Sequence, residues 1–236
     1  MKKFIVIIGN FGSGKTELSL NLAFEYAKNQ KVTLVDLDII NPYFRSTERK
    51  AELDAAGIRL LSPTYAMLGV EIPSLPADIY SVFSDSSDIV IFDVGGDPAG
   101  AIALGQYKRF FDQAKDVKVL YVINARRPFS CELDMNLDMI ARIREAGRMD
   151  IDAIVNNTNL SQETSLEELI DGYNLVRDVA VETGLPVKYT VGVPSILDEF
   201  RRYAEDNGLL NDYIGEYHPI ERYMHRDWER YTEKGL

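Results

Sequence analysis

Cysteine is nearly absent from this chain: Cys131 is the only one in 236 residues. An intrachain disulfide and a cysteine-cluster metal site are thereby excluded, and a reducing cytoplasm is the expected setting. Histidine is scarce too, since only His218 and His225 occur, and their spacing matches no metal site. Basic residues are outnumbered, with 26 Lys and Arg against 37 Asp and Glu, for a formal net charge of -11. General binding to nucleic acid or anionic membrane needs clustered positive charge, so neither is expected. No apolar run approaches the roughly 18–20 residues of a membrane-spanning helix. The amino end, Lys2-Lys3-Phe4-Ile5-Val6-Ile7-Ile8-Gly9, has the charge of a leader peptide. Its short apolar run enters a glycine-rich loop and not a cleavage site, so it reads as a buried strand.

What is present is an alternation of apolar, β-branched runs with helical segments. Strands are expected at Phe4–Ile8, Val32–Val35, Ile58–Leu61, Ile89–Phe92, Val117–Ile123, Ala153–Val155 and Val187–Val191. Helices are expected at Lys15–Asn29, Ser46–Ala56, Leu133–Ala146 and Leu166–Thr183. Strands that are apolar almost throughout belong in a sheet covered on both faces. The expected fold is therefore α/β: a three-layer arrangement with a twisted, mainly parallel sheet flanked by helices, as one domain over 1–236. Ligands of such sheets collect at the carboxyl ends of the strands.

The motifs fall at that edge. Gly9-Asn10-Phe11-Gly12-Ser13-Gly14-Lys15-Thr16 is a complete Walker A phosphate loop between a strand and a helix. Its glycines let successive backbone N–H groups face phosphate oxygens, Lys15 is expected on the β- and γ-phosphates, and Thr16 on Mg²⁺. Asp36 and Asp38 follow the second strand. Either of them serves Mg²⁺ or attacking water, or both only shape a turn. The fourth strand ends in Asp93-Val94-Gly95-Gly96, a Walker B arrangement in which Asp93 supports Mg²⁺ and Gly96 lets a backbone N–H approach the terminal phosphate.

With these residues quoted, the chain resembles the MinD/ParA-like branch of the SIMIBI-class P-loop proteins, the family that includes nitrogenase iron protein and the CobQ/CobB-type domains. The resemblance spans most of the chain. It implies a P-loop NTPase fold, an ATP hydrolase activity, and ATP with Mg²⁺ as ligands. It implies catalytic roles for Lys15 and Asp38, with Asp38 handling the attacking water, and a metal site of Thr16, Asp38 and Asp93. By the same resemblance Asn157, or secondarily Asn156, reads the base by its amide, and the loop Val191-Gly192-Val193-Pro194 packs on the base. Guanine-specific relatives carry Asn-Lys-x-Asp where this chain has Asn157-Thr158-Asn159-Leu160, so ATP is favoured over GTP. Many members carry a second lysine where this chain has Asn10, so the usual nucleotide-sandwich homodimer is not implied. Arg126 and Arg127 supply positive charge in its place, or are salt-bridged surface groups.

From Pro219 onward, Ile220, Tyr223, Met224, Trp228 and Tyr231 share a helical face beside a ladder of Arg222, Arg226, Arg230 and Lys234. An amphipathic helix over about 219–234 is expected, packed on its own domain or docked on a partner; membrane binding is not favoured, because acidic residues interleave. Three functions remain. An ATP-driven switch for a protein or cofactor-assembly client, or acting as a homodimer, needs only the elements above. A phosphotransferase or ligase of the dethiobiotin synthetase or cobyric acid synthase type needs an acceptor pocket, for which Ser62–Pro76 is the one long irregular stretch. A module that binds nucleotide without hydrolysing it leaves Asp38 and Asp93 without work.

Overall fold

The computed structural model describes residues 2–38, 49–62, 77–96 and 98–224. Eight parallel strands form one sheet in the order β3-β2-β4-β1-β5-β6-β7-β8. The strands are β1 (Lys3–Gly9), β2 (Val32–Leu37), β3 (Arg59–Leu61), β4 (Ile89–Val94), β5 (Val117–Ile123), β6 (Ala153–Asn156), β7 (Val187–Gly192) and β8 (Glu216–Pro219). The described helices are α1 (Lys15–Ala27), α2 (Lys50–Ala55), α3 (Pro98–Gly105), α4 (Lys108–Phe111), α5 (Leu133–Gly147), α6 (Leu166–Thr183) and α7 (Pro194–Asp206).

Strand alternation sorts the apolar residues onto two faces. Val35, Leu37, Val90, Phe92 and Val94 pack on one side with Leu104 of α3, Ile140 of α5 and Val176 of α6. Leu34, Ile91 and Ile7 pack on the other with Leu18, Leu20 and Leu22 of α1 and Leu53 of α2. Those leucines of α1 are buried, each a contribution of roughly 1.5–3 kcal/mol from removal of apolar surface from water. A third cluster joins α6 to α7 through Leu169, Tyr173, Ile196, Leu197 and Phe200.

This order puts the phosphate loop where the chain changes direction. From β1 the chain crosses to β2 and β3 at one edge, returns to β4 beside β1, then continues through β5 on β1's other side. The carboxyl end of β1 therefore lies between two diverging crossovers, the position where open parallel sheets form their crevice. Asp36 and Asp93 are register partners on β2 and β4. Each lies two residues beyond Leu34 or Ile91 on its strand and so shares their face, the α1 side of the sheet.

All seven expected strands are present, and the helical segments of α1, α2, α5 and α6 fall in their expected places. The sheet differs from expectation in gaining β8, whose Glu216-Tyr217-His218-Pro219 carries no apolar run to announce it. It pairs with β7, and His218 is buried against Tyr189. The helix expected over 219–234 does not begin at Pro219, which ends β8, and residues 220–224 are irregular. Backbone bonds to α1 side chains, given below, replace the helical ones there. Residues 225–236 lie outside the described residues, as do the expected acceptor stretch from 63 onward, Asp97, and the loop after Asp38.

Candidate nucleotide site

The loop from Gly9 to Thr16 wraps the amino end of α1. Gly14 sits at its N-cap with φ 87°, a left-handed value that disfavours side chains, and a Cβ there would collide with the Asn157 amide. The Asn157 Nδ2 donates to the Ser13 carbonyl at 2.7 Å. Lys15 is buried, and its Nζ donates to the Asn10 carbonyl at 3.0 Å. Asn10 is buried beneath the loop, where its Nδ2 donates to the Tyr121 hydroxyl at 3.2 Å and that hydroxyl donates to Asn136 at 3.0 Å. Its side chain is thus committed to the core. The Asn157 amide likewise buttresses the phosphate loop, through a contact between residues 144 apart in sequence.

The acidic residues occupy distinct places. Asp36 is buried, and its Oδ1 accepts the Asp38 N–H at 2.9 Å, the turn-forming role that was one of its two readings. That turn sets Asp38 at the mouth of the cleft, packed on Gly95: its Oδ1 lies 3.4 Å from where a Gly95 Cβ would stand. Asp93 is buried, and neither carboxylate oxygen has a well-formed hydrogen bond to a partner among the described residues. Burial pushes its pKa up to about 6, with Asp38's charge adding to the rise; the hydroxyls of Thr16 and Ser19 and the charge of Lys15 lie near enough to oppose it. Gly96 rests directly on the phosphate loop, since a Cβ there would stand 2.6 Å from Phe11 N and 2.7 Å from Lys15 Nζ. Only glycine brings this backbone so close.

A cleft of about 1000 Å³ extends from this loop, lined by Phe11, Gly12, Gly14, Lys15, Thr16 and Asp38 at one end. Asn157 stands between the two ends, and the far end is lined by residues 158–164, by Val191, Gly192, Val193 and Ile196, and by Ile220, Arg222 and Met224. Pro194 is the first residue of α7 and is not among the lining residues, while its neighbour Val193 is. Asn156 is buried away from the cleft, with its Oδ1 accepting the Thr158 N–H at 3.2 Å and lying against Gly172 of α6.

The Ile220–Met224 wall was not foreseen. Glu17, next to Thr16, accepts the N–H groups of Tyr223 at 2.6 Å and Met224 at 3.0 Å. One helical turn on, Asn21 clamps Glu221, accepting its N–H at 2.8 Å and donating to its carbonyl at 2.9 Å. Phe24 stacks on Tyr223 at 4.7 Å between ring centroids, and Arg49 donates to the Tyr223 carbonyl. The Glu17, Asn21, Phe24 spacing along one face of α1 was the available signal, but polar residues on a helix face have no unique partner in sequence.

Several solved structures share this architecture. Chloroplast FtsY from Physcomitrella patens aligns over 80% of this chain and 58% of its own, at 18% identity and a TM-score of 0.53. Cell division protein FtsY from Thermotoga maritima aligns over 80% of this chain and 61% of its own, at 18% identity and a TM-score of 0.51. Signal recognition particle 54 kDa protein from Aeropyrum pernix, solved in complex with GDP, aligns over 80% and 41%, at 20% identity and a TM-score of 0.51. This chain has the P-loop NTPase fold. It spans about two fifths to three fifths of the length of these structures. No protein-family model matches the chain, and no curated protein sequence matches it. As a P-loop NTPase fold, the sheet and loop put Walker A on β1 and the Walker B carboxylate on neighbouring β4, joined by register from Lys3↔Ile89 to Ile7↔Asp93.

Proposed function

We propose that this protein is a Mg²⁺-dependent ATPase whose nucleotide state switches its interaction with a protein or cofactor-assembly client. The observation that carries the reading is Asp93: a buried carboxylate with no well-formed hydrogen bond among the described residues and only the Thr16 and Ser19 hydroxyls and Lys15 close by. A group so placed is costly unless a cation or proton satisfies it. The residues fit Mg²⁺: Thr16 and Asp93 would hold it, with Asp38 near the same site. When bound, Mg²⁺ supplies charge neutralisation on the phosphates. Lys15 and the backbone N–H groups of Gly12 to Thr16 hold the phosphate chain. Asp38 orients and deprotonates the attacking water, held by the Asp36 turn and its contact with Gly95. Gly96, touching both Phe11 N and Lys15 Nζ, registers whether a terminal phosphate is present, and α3 begins two residues later at Pro98.

Within the P-loop NTPases, the Val35–Asp38 and Ile89–Gly96 motifs favour the MinD/ParA-like branch. The choice of base rests on Leu160. It lines the far end of the cleft at the position where guanine-reading relatives carry Asp. An apolar side chain leaves the guanine N1 and N2 donors unpaired, which costs about 1–3 kcal/mol per buried group. The structural relative solved with GDP gives guanine as the competing base, and the test includes it.

Calorimetric titration with ATP, ADP and GTP in the presence of Mg²⁺, with Lys15→Ala as control, tests the reading. ATP binding that requires Lys15 and exceeds GTP binding is the expected result. Tighter GTP binding overturns the base assignment. Binding that ignores Lys15, or no binding, sinks the nucleotide reading. Hydrolysis lost in Asp38→Asn with binding retained distinguishes a switch from a passive nucleotide module.

A further inference from the structure

Two adjacent arginines follow β5, and the structure separates them. Arg126 is locked into ion pairs with Glu168 at 3.2 Å and Asp171 at 2.7 Å, both on α6. Glu168 also accepts the Ser165 N–H at 2.8 Å as part of the α6 capping box, so Arg126 belongs to that helix end. Arg127 makes no ion pair among the described residues. Its side chain lies along the phosphate loop instead. Its Cδ is 3.5 Å, and its Cγ and Nε 3.7 Å, from where a Gly12 Cβ would stand, and it lines the cleft.

Its backbone is fixed in a tight turn. The Arg127 N–H donates to the Asn124 carbonyl at 3.1 Å, and its own carbonyl accepts the Ser130 N–H at 2.9 Å. Pro128 follows and restricts its backbone further. The side chain therefore leaves a rigid base directly over the loop, and the residue is exposed. Charge asks for it there. Asp38 and Asp93 put two carboxylates beside a bound triphosphate, in a chain with net charge -11. Lys15 is the buried cation of the phosphate loop. An anion in such surroundings gains from every added donor that needs no reorganisation.

We propose that Arg127 is a phosphate-contacting residue, whose guanidinium binds the terminal phosphate of the nucleotide held on the same phosphate loop, from the solvent side of Gly12. The proposal rests on the nucleotide-binding reading above and adds to it a residue that discriminates triphosphate from diphosphate. Arg126, the preceding residue, has no part in it.

The test is calorimetry with Mg²⁺ and two probes, ADP and a nonhydrolysable ATP analogue, repeated with the guanine pair, at low and high salt. Arg127→Ala, Arg127→Lys, Arg126→Ala and Lys15→Ala are compared with the wild type. Arg127→Ala is expected to weaken the triphosphate analogue about tenfold while changing ADP less than about twofold, as for loss of one charge-assisted contact. Arg127→Lys recovers part of the loss, because charge is restored without the planar fork. The wild-type advantage shrinks at high salt, as an exposed contact requires. Arg126→Ala leaves the ratio of the two affinities unchanged. An unchanged triphosphate affinity in Arg127→Ala, or equal losses for both probes, overturns the proposal. So does a loss that appears only at protein concentrations where two copies associate, since the arginine would then act on the neighbour's nucleotide. Binding in which Lys15→Ala matches the wild type overturns the nucleotide reading itself, and with it this one.

Discussion

The two ends of the cleft are built differently. The phosphate end is one continuous stretch of chain, Gly9–Thr16, whose shape comes from glycine dihedrals and whose charge comes from Lys15 on the following helix. The far end is assembled from segments near 160, 192 and 222, the last held by bonds from α1 side chains to its backbone. Local chemistry shapes the first, which Tyr121, Asn157 and Gly96 buttress from a distance; tertiary packing builds the second. The phosphate end is therefore expected to be intolerant and general to all nucleotides, and the far end adjustable and selective.

The largest expected effect breaks the intolerant end. Lys15→Ala removes a buried cation, and loss of one partner from a buried charge contact costs about 3–5 kcal/mol. Affinity for ATP, ADP and GTP is expected to fall together, on the order of a thousandfold for the triphosphates. A calorimetric series in which one base is spared would mean that the far end holds nucleotide by itself, and the contrast would fail.

Asp93 gives the second test, on stability. Its folded pKa is raised to about 6 from an ordinary 3.8, the reverse of a salt-bridged carboxylate. Between those values the folded state holds the proton more tightly than the unfolded state. Stability of the metal-free protein therefore falls as pH rises through this window, and above about pH 6 a penalty of roughly 3 kcal/mol is fully present. Asp93→Asn is expected to relieve most of that penalty in EDTA and to flatten the pH dependence, while losing Mg²⁺-dependent nucleotide binding. Thermal unfolding across pH checks it: a variant less stable than wild type at neutral pH would show that Asp93 holds the fold and not a cation.

The same division governs what could be read in the sequence. Strands apolar on both faces and a loop of fixed glycine spacing are local signals, and the P-loop NTPase fold and the placing of Lys15, Thr16, Asp38 and Asp93 follow from them. The far end was legible in part, since the stretch 157–160 and the loop 191–194 were expected near the base and most of their residues line the cleft. Asn157 was expected at the base, and its amide nitrogen donates to the Ser13 carbonyl at the phosphate end. Pro194 and Asn156 were expected there too, and Val193 and Thr158 line the cleft beside them. The segment after Pro219 has helical spacing of Ile220, Tyr223 and Met224, yet Glu17 and Asn21 of α1 take its backbone N–H groups. Side chains two apart, Ile220, Arg222 and Met224, then share the cleft side, a strand-like period that only the partner helix selects.

Leu160 sharpens the selective end. Leu160→Asp places an acceptor where guanine presents two donors, and a hydrogen bond to a charged group is worth about 1.5–3 kcal/mol. The GTP-to-ATP affinity ratio is expected to rise about tenfold with ADP phosphate contacts untouched. Competition between labelled ATP and GTP measures the ratio directly. No change would remove residue 160 from the base site and with it the argument for adenine.

The smallest expected effect asks whether the Ile220–Met224 wall belongs to the site or only to the fold. Asn21→Ala deletes both bonds to Glu221 and leaves Glu17 holding Tyr223 and Met224. Stability is expected to fall by about 1–2 kcal/mol, the net value of two such bonds. If the wall positions nucleotide, ATP affinity falls about threefold as well, because a loosened wall must be ordered again on binding. Bound ATP would then recover stability more weakly in the variant than in the wild type, which thermal shifts across an ATP series can read. A stability loss with an unchanged ATP response would make the segment a strap on α1 alone, and the far end of the cleft would narrow to the segments near 160 and 192.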